Sequence, residues 1–121
     1  MTDKAFFFLR LNDHVQYLKK IQATLDGTGE FQGTDYHDCN LGKWIYSTGP
    51  DEASSVGDEA VSLFNTLLEP HQQFHNSSHQ AIEKQNAGDI DGANHAITEM
   101  VKLSNVLIKI LIDLDNLSNR Q

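Results

Sequence analysis

The sequence predicts an all-α fold: an antiparallel four-helix bundle with three long helices and one short helix that carries the single cysteine. Three observations support this prediction. Apolar residues recur at steps of three and four over long stretches, which is the spacing that places one apolar stripe along a helix. Glycine-bearing turns separate these stretches. The length of 121 residues suits one domain with a real core, so we expect residues 1–121 to form a single domain.

The first helix is predicted to begin at Phe7 and to end at Leu25, because Asp26-Gly27-Thr28-Gly29 follows. Glycine supplies the permissive backbone that ends helices. The next stretch, as far as Asp38, is polar and has no sustained apolar period, which predicts a loop. The apolar stripe of the first helix consists of Phe7, Leu11, His14, Leu18, Ile21 and Leu25.

A short helix is predicted over residues 40–46, with Asp38 as its cap and Ser47-Thr48-Gly49-Pro50 as its end.

The last helix is predicted over residues 91–117, after a turn at Asn86-Ala87-Gly88-Asp89. Its inward positions are predicted to be Ala93, Ile97, Met100, Ser104, Leu107, Leu111 and Leu114.

Between these two helices the sequence predicts one long helix, which begins near Ser54 or Ser55 because either serine can cap it. Its stripe continues past Pro70, although proline lacks a backbone donor and clashes with the preceding turn. We therefore expect the helix to continue with a kink near Glu69. The stripe consists of Val61, Phe64, Leu68, His71, His75, Ser78 and Ile82.

The last helix has more apolar surface than one core needs, because residues 106–112 are apolar on nearly every side. Ile108 and Ile112 would face water unless something covers them. A second copy of the chain is the simplest cover, so we expect a homodimer. The alternative is that the first helix covers this surface with Phe6 to Phe8.

Charge and hydropathy exclude two classes of partner. Nine basic and seventeen acidic residues give a formal net charge of −8, and no run of Lys or Arg offers a cationic stripe to a phosphate backbone. The apolar stretch from Ala5 to Leu9 is too short for a signal peptide or a membrane span. We expect a cytoplasmic protein that binds neither nucleic acid nor a membrane.

Histidines occupy three stripe positions that would ordinarily hold Leu or Ile, namely His14, His71 and His75. A single buried histidine usually finds a carbonyl or carboxylate partner. His71 and His75, however, are four residues apart, which brings both rings within reach of one ion. Cys39, at the start of the short helix, can add a thiolate. The sequence therefore predicts a metal site at His14, Cys39, His71 and His75.

Three nitrogens and one sulfur suit zinc. The set lacks the bridging carboxylates of a di-iron bundle, and one sulfur cannot hold a four-cysteine iron–sulfur cluster. Copper and nickel would be accepted in vitro on affinity order alone. Four protein ligands leave no position for a catalytic water, so we expect a structural or sensory site, no catalytic residues and no enzyme activity.

Two other histidines compete for the metal site. By spacing alone, His75 could pair with His79 instead of His71. His37 lies two residues from Cys39 in the predicted loop. We expect both to be peripheral to the site.

Two other functions remain open. A zinc hydrolase needs an open coordination position and a general base, but neither Glu69 nor Glu83 is placed as in a His-Glu-x-x-His helix. A structural dimer in which zinc only staples the fold is the other alternative.

The sequence resembles the chemoreceptor zinc-binding domain, the CZB family. That family pattern consists of a histidine with a nearby aromatic residue, a Cys-x-Leu-Gly-x-Trp segment and a closing His-x-x-x-His. The matching segments are His14-Val15-Gln16-Tyr17, Cys39-Asn40-Leu41-Gly42-Lys43-Trp44 and His71-Gln72-Gln73-Phe74-His75.

The resemblance implies a cytoplasmic bacterial sensory module that holds zinc through those four residues, often dimerises, and is usually fused to a chemoreceptor or a diguanylate cyclase. It also implies that zinc occupancy modulates the attached domain and that the cysteine is a redox switch for oxidants such as hypochlorous acid. The sequence begins at Met1 and has no output domain after Gln121. We therefore expect a stand-alone member that acts on a chemotaxis or signalling partner in trans, with an excised domain as the alternative.

Overall fold

The computed structural model describes residues 7–119, and these residues form helices and connecting loops without a strand. The predicted all-α helical bundle is therefore confirmed. The described residues form six helices rather than four. In chain order they are α1 (Phe7–Leu25), α2 (Asn40–Ile45), α3 (Gly49–Val56), α4 (Asp58–Asn65), α5 (Leu68–Asn86) and α6 (Ile90–Asn119).

The bundle is organised around α5 and α6, which form the most extensive helix pair. A short turn at residues 87–89 joins them, so they run antiparallel. Helix α1 packs against α6, α2 and α5, and α4 packs against α6. All the predicted inward positions of α6 are buried except Ile97, which is half-buried. The largest fully buried apolar side chains are Phe7, Phe74, Ile21, Leu41, Ile45, Leu67, Met100, Leu107, Leu111 and Leu114.

The first two helices lie where the sequence predicts them, but the cap of α2 differs. Helix α1 ends at Leu25, and Gly27 follows with φ of 82°, a left-handed conformation that glycine adopts readily. The cap of α2 is Cys39 rather than Asp38, because the Cys39 sulfur accepts a hydrogen bond from the backbone N–H of Gly42 at 3.2 Å. Helix α2 ends at Ile45, one residue before the predicted end.

The predicted long third helix is wrong in its boundaries, because this part of the chain forms three successive helices. Helix α3 begins at Gly49, where the sequence predicted only the end of the preceding helix. Pro50 lies in its first turn, where proline's fixed φ suits the helix and its missing N–H has no cost. Gly57, with φ of 145°, then separates α3 from α4.

The kink that Pro70 was expected to cause near Glu69 is a complete break that lies earlier, between Asn65 and Leu68. The first intrahelical bond of α5 joins the His71 N–H to the Leu67 carbonyl at 3.0 Å. Pro70 therefore lies in the first turn of α5, where backbone N–H groups have no intrahelical acceptor. The chain accommodates Pro70 by starting a new helix rather than by bending an existing one.

Helix α6 keeps part of its apolar surface in solvent. Ile112 is 43% exposed and Val101 37% exposed, while Ile108, between them on the same face, is half-buried. Phe8 of α1 is itself 64% exposed, so it does not cover this surface, and Phe6 lies outside the described residues. None of the described helices is both long enough and apolar enough to cross a membrane.

Candidate metal centre

The structure brings together one cysteine and two histidines at the junction of α2 and α5. His71 and His75 lie one turn apart on α5, with ring centroids separated by 4.9 Å. The Cys39 sulfur lies 3.3 Å from Nε2 of His71. One ligating atom from each of Cys39, His71 and His75 lies within 4.8 Å of the other two, and all three residues are buried.

These distances fit a tetrahedral ion. Zinc–sulfur and zinc–nitrogen bonds of about 2.3 and 2.0–2.1 Å place two ligand atoms of a tetrahedral site about 3.6 Å apart. The sulfur–nitrogen separation of 3.3 Å between Cys39 and His71 is close to that value. The donor atoms of Cys39 and His71 therefore already lie at the separation of two zinc ligands, and the donor atom of His75 lies within 4.8 Å of both.

Helix α2 is held in place by two contacts, one with the preceding loop and one with the bundle. A Cβ atom at Gly42 would overlap the carbonyl oxygen of Tyr36, so only glycine lets α2 approach the preceding loop this closely. Trp44 is 4% exposed and packs edge-on between Phe7 and Phe64, at centroid distances of 5.6 and 5.4 Å. These contacts make Trp44 a core packing residue, and they fix the position of the cysteine.

The loop before α2 orients His75. Its Nδ1 donates to the carbonyl oxygen of Thr34 at 3.0 Å, and the Tyr17 hydroxyl lies 3.2 Å from the same nitrogen. The Thr34 N–H donates in turn to the Tyr17 hydroxyl at 2.9 Å. Ligating histidines commonly use their second ring nitrogen in this way, which fixes the ring and leaves Nε2 for the metal.

His71 and His14 differ from His75 in their second partners. Nδ1 of His71 is buried and has no hydrogen-bond partner among residues 7–119. Nε2 of His14 lies 2.8 Å from the Ser104 hydroxyl of α6, and the His14 ring packs edge-on against Phe74 at 4.7 Å. His14 is buried but is not part of the three-residue group. The four-ligand set thus stays a prediction.

Burial keeps the histidines in the form that binds metal. It lowers the pKa of His14 to about 4 and that of His75 to about 4. Burial, with a smaller effect of the charge on His75, lowers the pKa of His71 to about 3. All three rings are therefore neutral near pH 7, with lone pairs available. Burial raises the pKa of the Cys39 thiol, so ligation by a metal is what converts this sulfur to thiolate.

Acidification of the zinc-free protein is expected to destabilise it below about pH 6.5. The pKa values of His14, His71 and His75 are lowered in the folded protein. Below about pH 6.5 the unfolded chain therefore binds protons at these histidines while the folded chain does not, which favours unfolding. The stability that the three neutral histidines contribute is fully present above their ordinary pKa of 6.5, and it is lost as the pH falls towards about 4. By about pH 5.5 each histidine removes on the order of 1 kcal/mol from the free energy of unfolding.

Urea unfolding at about pH 7 and pH 5.5, with a chelator present, measures this loss. A His95→Gln variant, which changes an exposed residue of α6, should show the same pH dependence as the parent. Equal stability at the two pH values would contradict neutral burial of these rings.

The competing histidines lie outside the three-residue group. His79 is exposed, and its Nε2 donates to the Thr34 carbonyl at 2.9 Å. His37 is also exposed and pairs with Asp35 at 2.6 Å. The structure therefore groups His75 with His71 rather than with His79.

Sequence reasoning missed the residues that contact the histidines, namely Tyr17, Thr34 and Ser104. Tyr17 is the aromatic residue that follows His14 in the motif, so its proximity could have been inferred. Thr34 contributes a backbone carbonyl, which no side-chain pattern reveals. Ser104 was predicted to face inward, but its partner depends on how α1 and α6 pack.

A helical bundle that buries a cysteine and two histidines at ligand distances defines a metal-binding domain with a donor set suited to zinc. The family model of the chemoreceptor zinc-binding domain, CZB, matches residues 14–82, more than half of the chain. The chain belongs to this family, as its motifs predicted, and zinc is its metal. Searches among curated proteins and among solved structures gave no match.

Proposed function

We propose that this chain is a regulatory module of bacterial signalling in which the state of a zinc site alters helix packing and thereby the activity of a partner. The observation that carries the proposal is the double role of the Cys39 sulfur. It caps α2 by accepting the Gly42 N–H, and it faces His71 of α5 at ligand distance. A change in the metal or in the sulfur therefore acts directly on the start of a helix.

The proposed ligands are His14, Cys39, His71 and His75. The last three form the buried group described above. His14 joins the proposal because it is 2% exposed, and because a charge on it would lower the pKa of His71, which indicates electrostatic proximity. Coordination of His14 through Nε2 would require its contact with Ser104 to be replaced.

We propose that the module has no catalytic activity. A zinc ion held by four protein ligands has no position for an activated water. The partner, on this proposal, is a chemoreceptor or a diguanylate cyclase, reached in trans or within a longer chain, and the module works in the cytoplasm. CZB membership supports the signalling context.

The homodimer remains part of the proposal, with the exposed face of α6 as its interface. Val101, Ile108 and Ile112 follow one another at steps of seven and four, so they form one apolar strip. Replacing Ile108 and Ile112 with Glu should give monomers, because an interface that buries two charges without partners is strongly disfavoured.

Light scattering of the double variant measures the change. The matched control is Gln73→Glu with Gln80→Glu, which adds the same two charges at exposed polar positions of α5. A double Ile variant that stays dimeric would place the interface elsewhere.

Hydrogen exchange with and without zinc tests the regulatory proposal. A regulatory site should change protection locally, in α2 and in the part of α6 around Ser104, because these segments contact the candidate ligands. If zinc only stabilises the fold, its removal should change protection throughout the bundle by a common amount, since only global unfolding would be affected. Uniform change would therefore contradict regulation and support the structural alternative.

A further inference from the structure

We infer that a cleft between α1 and α2 is a binding site for a small oxyanion, a phosphate or a carboxylate. The cleft has a volume of about 360 Å³, enough for either group. Helix α1 contributes Arg10 and Asp13, α2 contributes Asn40, Lys43 and Trp44, and residues 47–48 complete the wall. None of these residues belongs to the three-residue metal group.

Two buried N–H donors at this cleft lack an acceptor. Nε of Arg10 and Nε1 of Trp44 have no hydrogen-bond partner in the described part of the chain. The Arg10 guanidinium lies 5.9 Å from the centre of the Trp44 ring, so both donors belong to one small region. Trp44 is 4% exposed, and a buried donor of this kind ordinarily has a partner. An anion bound in the cleft would supply the acceptor that both donors lack.

The charges of the cleft favour a negative acceptor over a neutral one. Asp13 is already paired with Arg10 at 3.0 Å, which leaves the Lys43 ammonium without a carboxylate among the lining residues. The lining side chains therefore include two cations, Arg10 and Lys43, and one carboxylate, while the Glu52 carboxylate lies at the edge of the cleft against Thr48. The hydroxyls of Ser47 and Thr48 already donate to the Lys43 carbonyl and to Glu52, so nitrogen donors remain for the ligand.

An oxyanion in this position would contact both helices at once, through Arg10 of α1 and through Lys43 and Trp44 of α2. Charge-assisted hydrogen bonds from guanidinium and ammonium groups are stronger than neutral ones. The inference does not depend on the proposed zinc function, because it uses other side chains and its test does not measure the metal.

Nuclear magnetic resonance of the zinc-loaded full chain tests the site, because Trp44 is the only tryptophan and Arg10 is one of two arginines. Inorganic phosphate and acetate are titrated separately, with sodium chloride at matched ionic strength as the reference. We expect a saturable downfield shift of Trp44 Nε1–H and Arg10 Nε–H with phosphate, acetate or both. Whichever anion binds more tightly distinguishes a phosphate site from a carboxylate site.

Two variants make the test specific. Lys43→Gln, at an exposed position, should weaken binding by about three- to fivefold, as expected for one solvated ion pair. Lys102→Gln makes the same change of charge on α6 and should leave binding unchanged. Equal shifts with chloride, shifts that do not saturate, or unchanged binding by Lys43→Gln would overturn the inference.

Discussion

Removing zinc from this protein is expected to lower its thermal midpoint by about 10 °C or more. A metal that binds only the folded chain stabilises it by about 4 kcal/mol at a thousandfold excess over its dissociation constant. In a domain of this size about 1 kcal/mol corresponds to a few degrees. The buried rings of His71 and His75 and the buried Cys39 sulfur would also lose the partner that offsets their burial.

The measurement combines elemental analysis of protein purified without added metal with thermal unfolding before and after chelation. We expect one zinc per chain. Cys39→Ala and His71→Ala should lose zinc and should melt near the chelated parent, whereas His95→Ala, at an exposed position of α6, should behave as the parent. Iron as the dominant metal, or full zinc occupancy in Cys39→Ala, would refute the proposed ligands.

The same assay decides the role of His14. His14→Ala should lose most of its zinc if the site has four protein ligands. Unchanged zinc occupancy would mean that Cys39, His71 and His75 are enough to bind the ion. His14 would then have a structural role, through its hydrogen bond with Ser104 between α1 and α6. An unchanged melting temperature after complete zinc removal would show that the site is peripheral to the fold.

Hypochlorous acid is expected to oxidise Cys39 and to release zinc in the same step. The thiolate sulfur is oxidised to sulfenic acid, the chlorine of the oxidant is reduced to chloride, and the sulfur loses the charge that ligation requires. Helix α2 should then loosen, because six residues do not form a stable helix without tertiary contacts. Trp44 packing and the close approach at Gly42 would be the remaining constraints.

The experiment titrates hypochlorous acid against the zinc-loaded protein. A chromogenic chelator reports zinc release, and mass spectrometry reports the oxidation of Cys39. Met100→Leu is the matched control, because it removes a buried methionine at nearly constant volume and should not change zinc release. If zinc stays bound after stoichiometric oxidation of Cys39, or leaves when only methionine is oxidised, the site is a static staple.

The sequence predicted α1 and α6 well because both carry long, uninterrupted apolar periods. It failed between Gly49 and Leu68 because periodicity continues across helix breaks when successive helices bury the same side of the chain. The decisive features there are local: Pro50 in the first turn of α3, the left-handed Gly57, and Pro70 in the first turn of α5. Each was visible in the sequence, but its effect depended on where the neighbouring helix began.

The candidate metal centre was predictable only where its residues lie on one helix. The spacing of His71 and His75 is set within one helix, so the sequence contains it directly. The approach of Cys39 depends on the path of residues 26–39, and the contact between His14 and Ser104 depends on the packing of α1 against α6. Neither relation is periodic, so helical spacing alone could not show how close these residues lie.

The burial of a single cysteine determines how an oxidised form of this protein could be reset. Cys39 is 7% exposed and the sequence contains no second cysteine, so a sulfenic acid there has no internal thiol with which to form a disulfide. Reduction by a thiol then needs a thiol from outside this sequence, and the 7% exposure of Cys39 restricts the approach of that thiol to the sulfur. The lifetime of the oxidised state would therefore be governed by how often α2 lifts from the bundle.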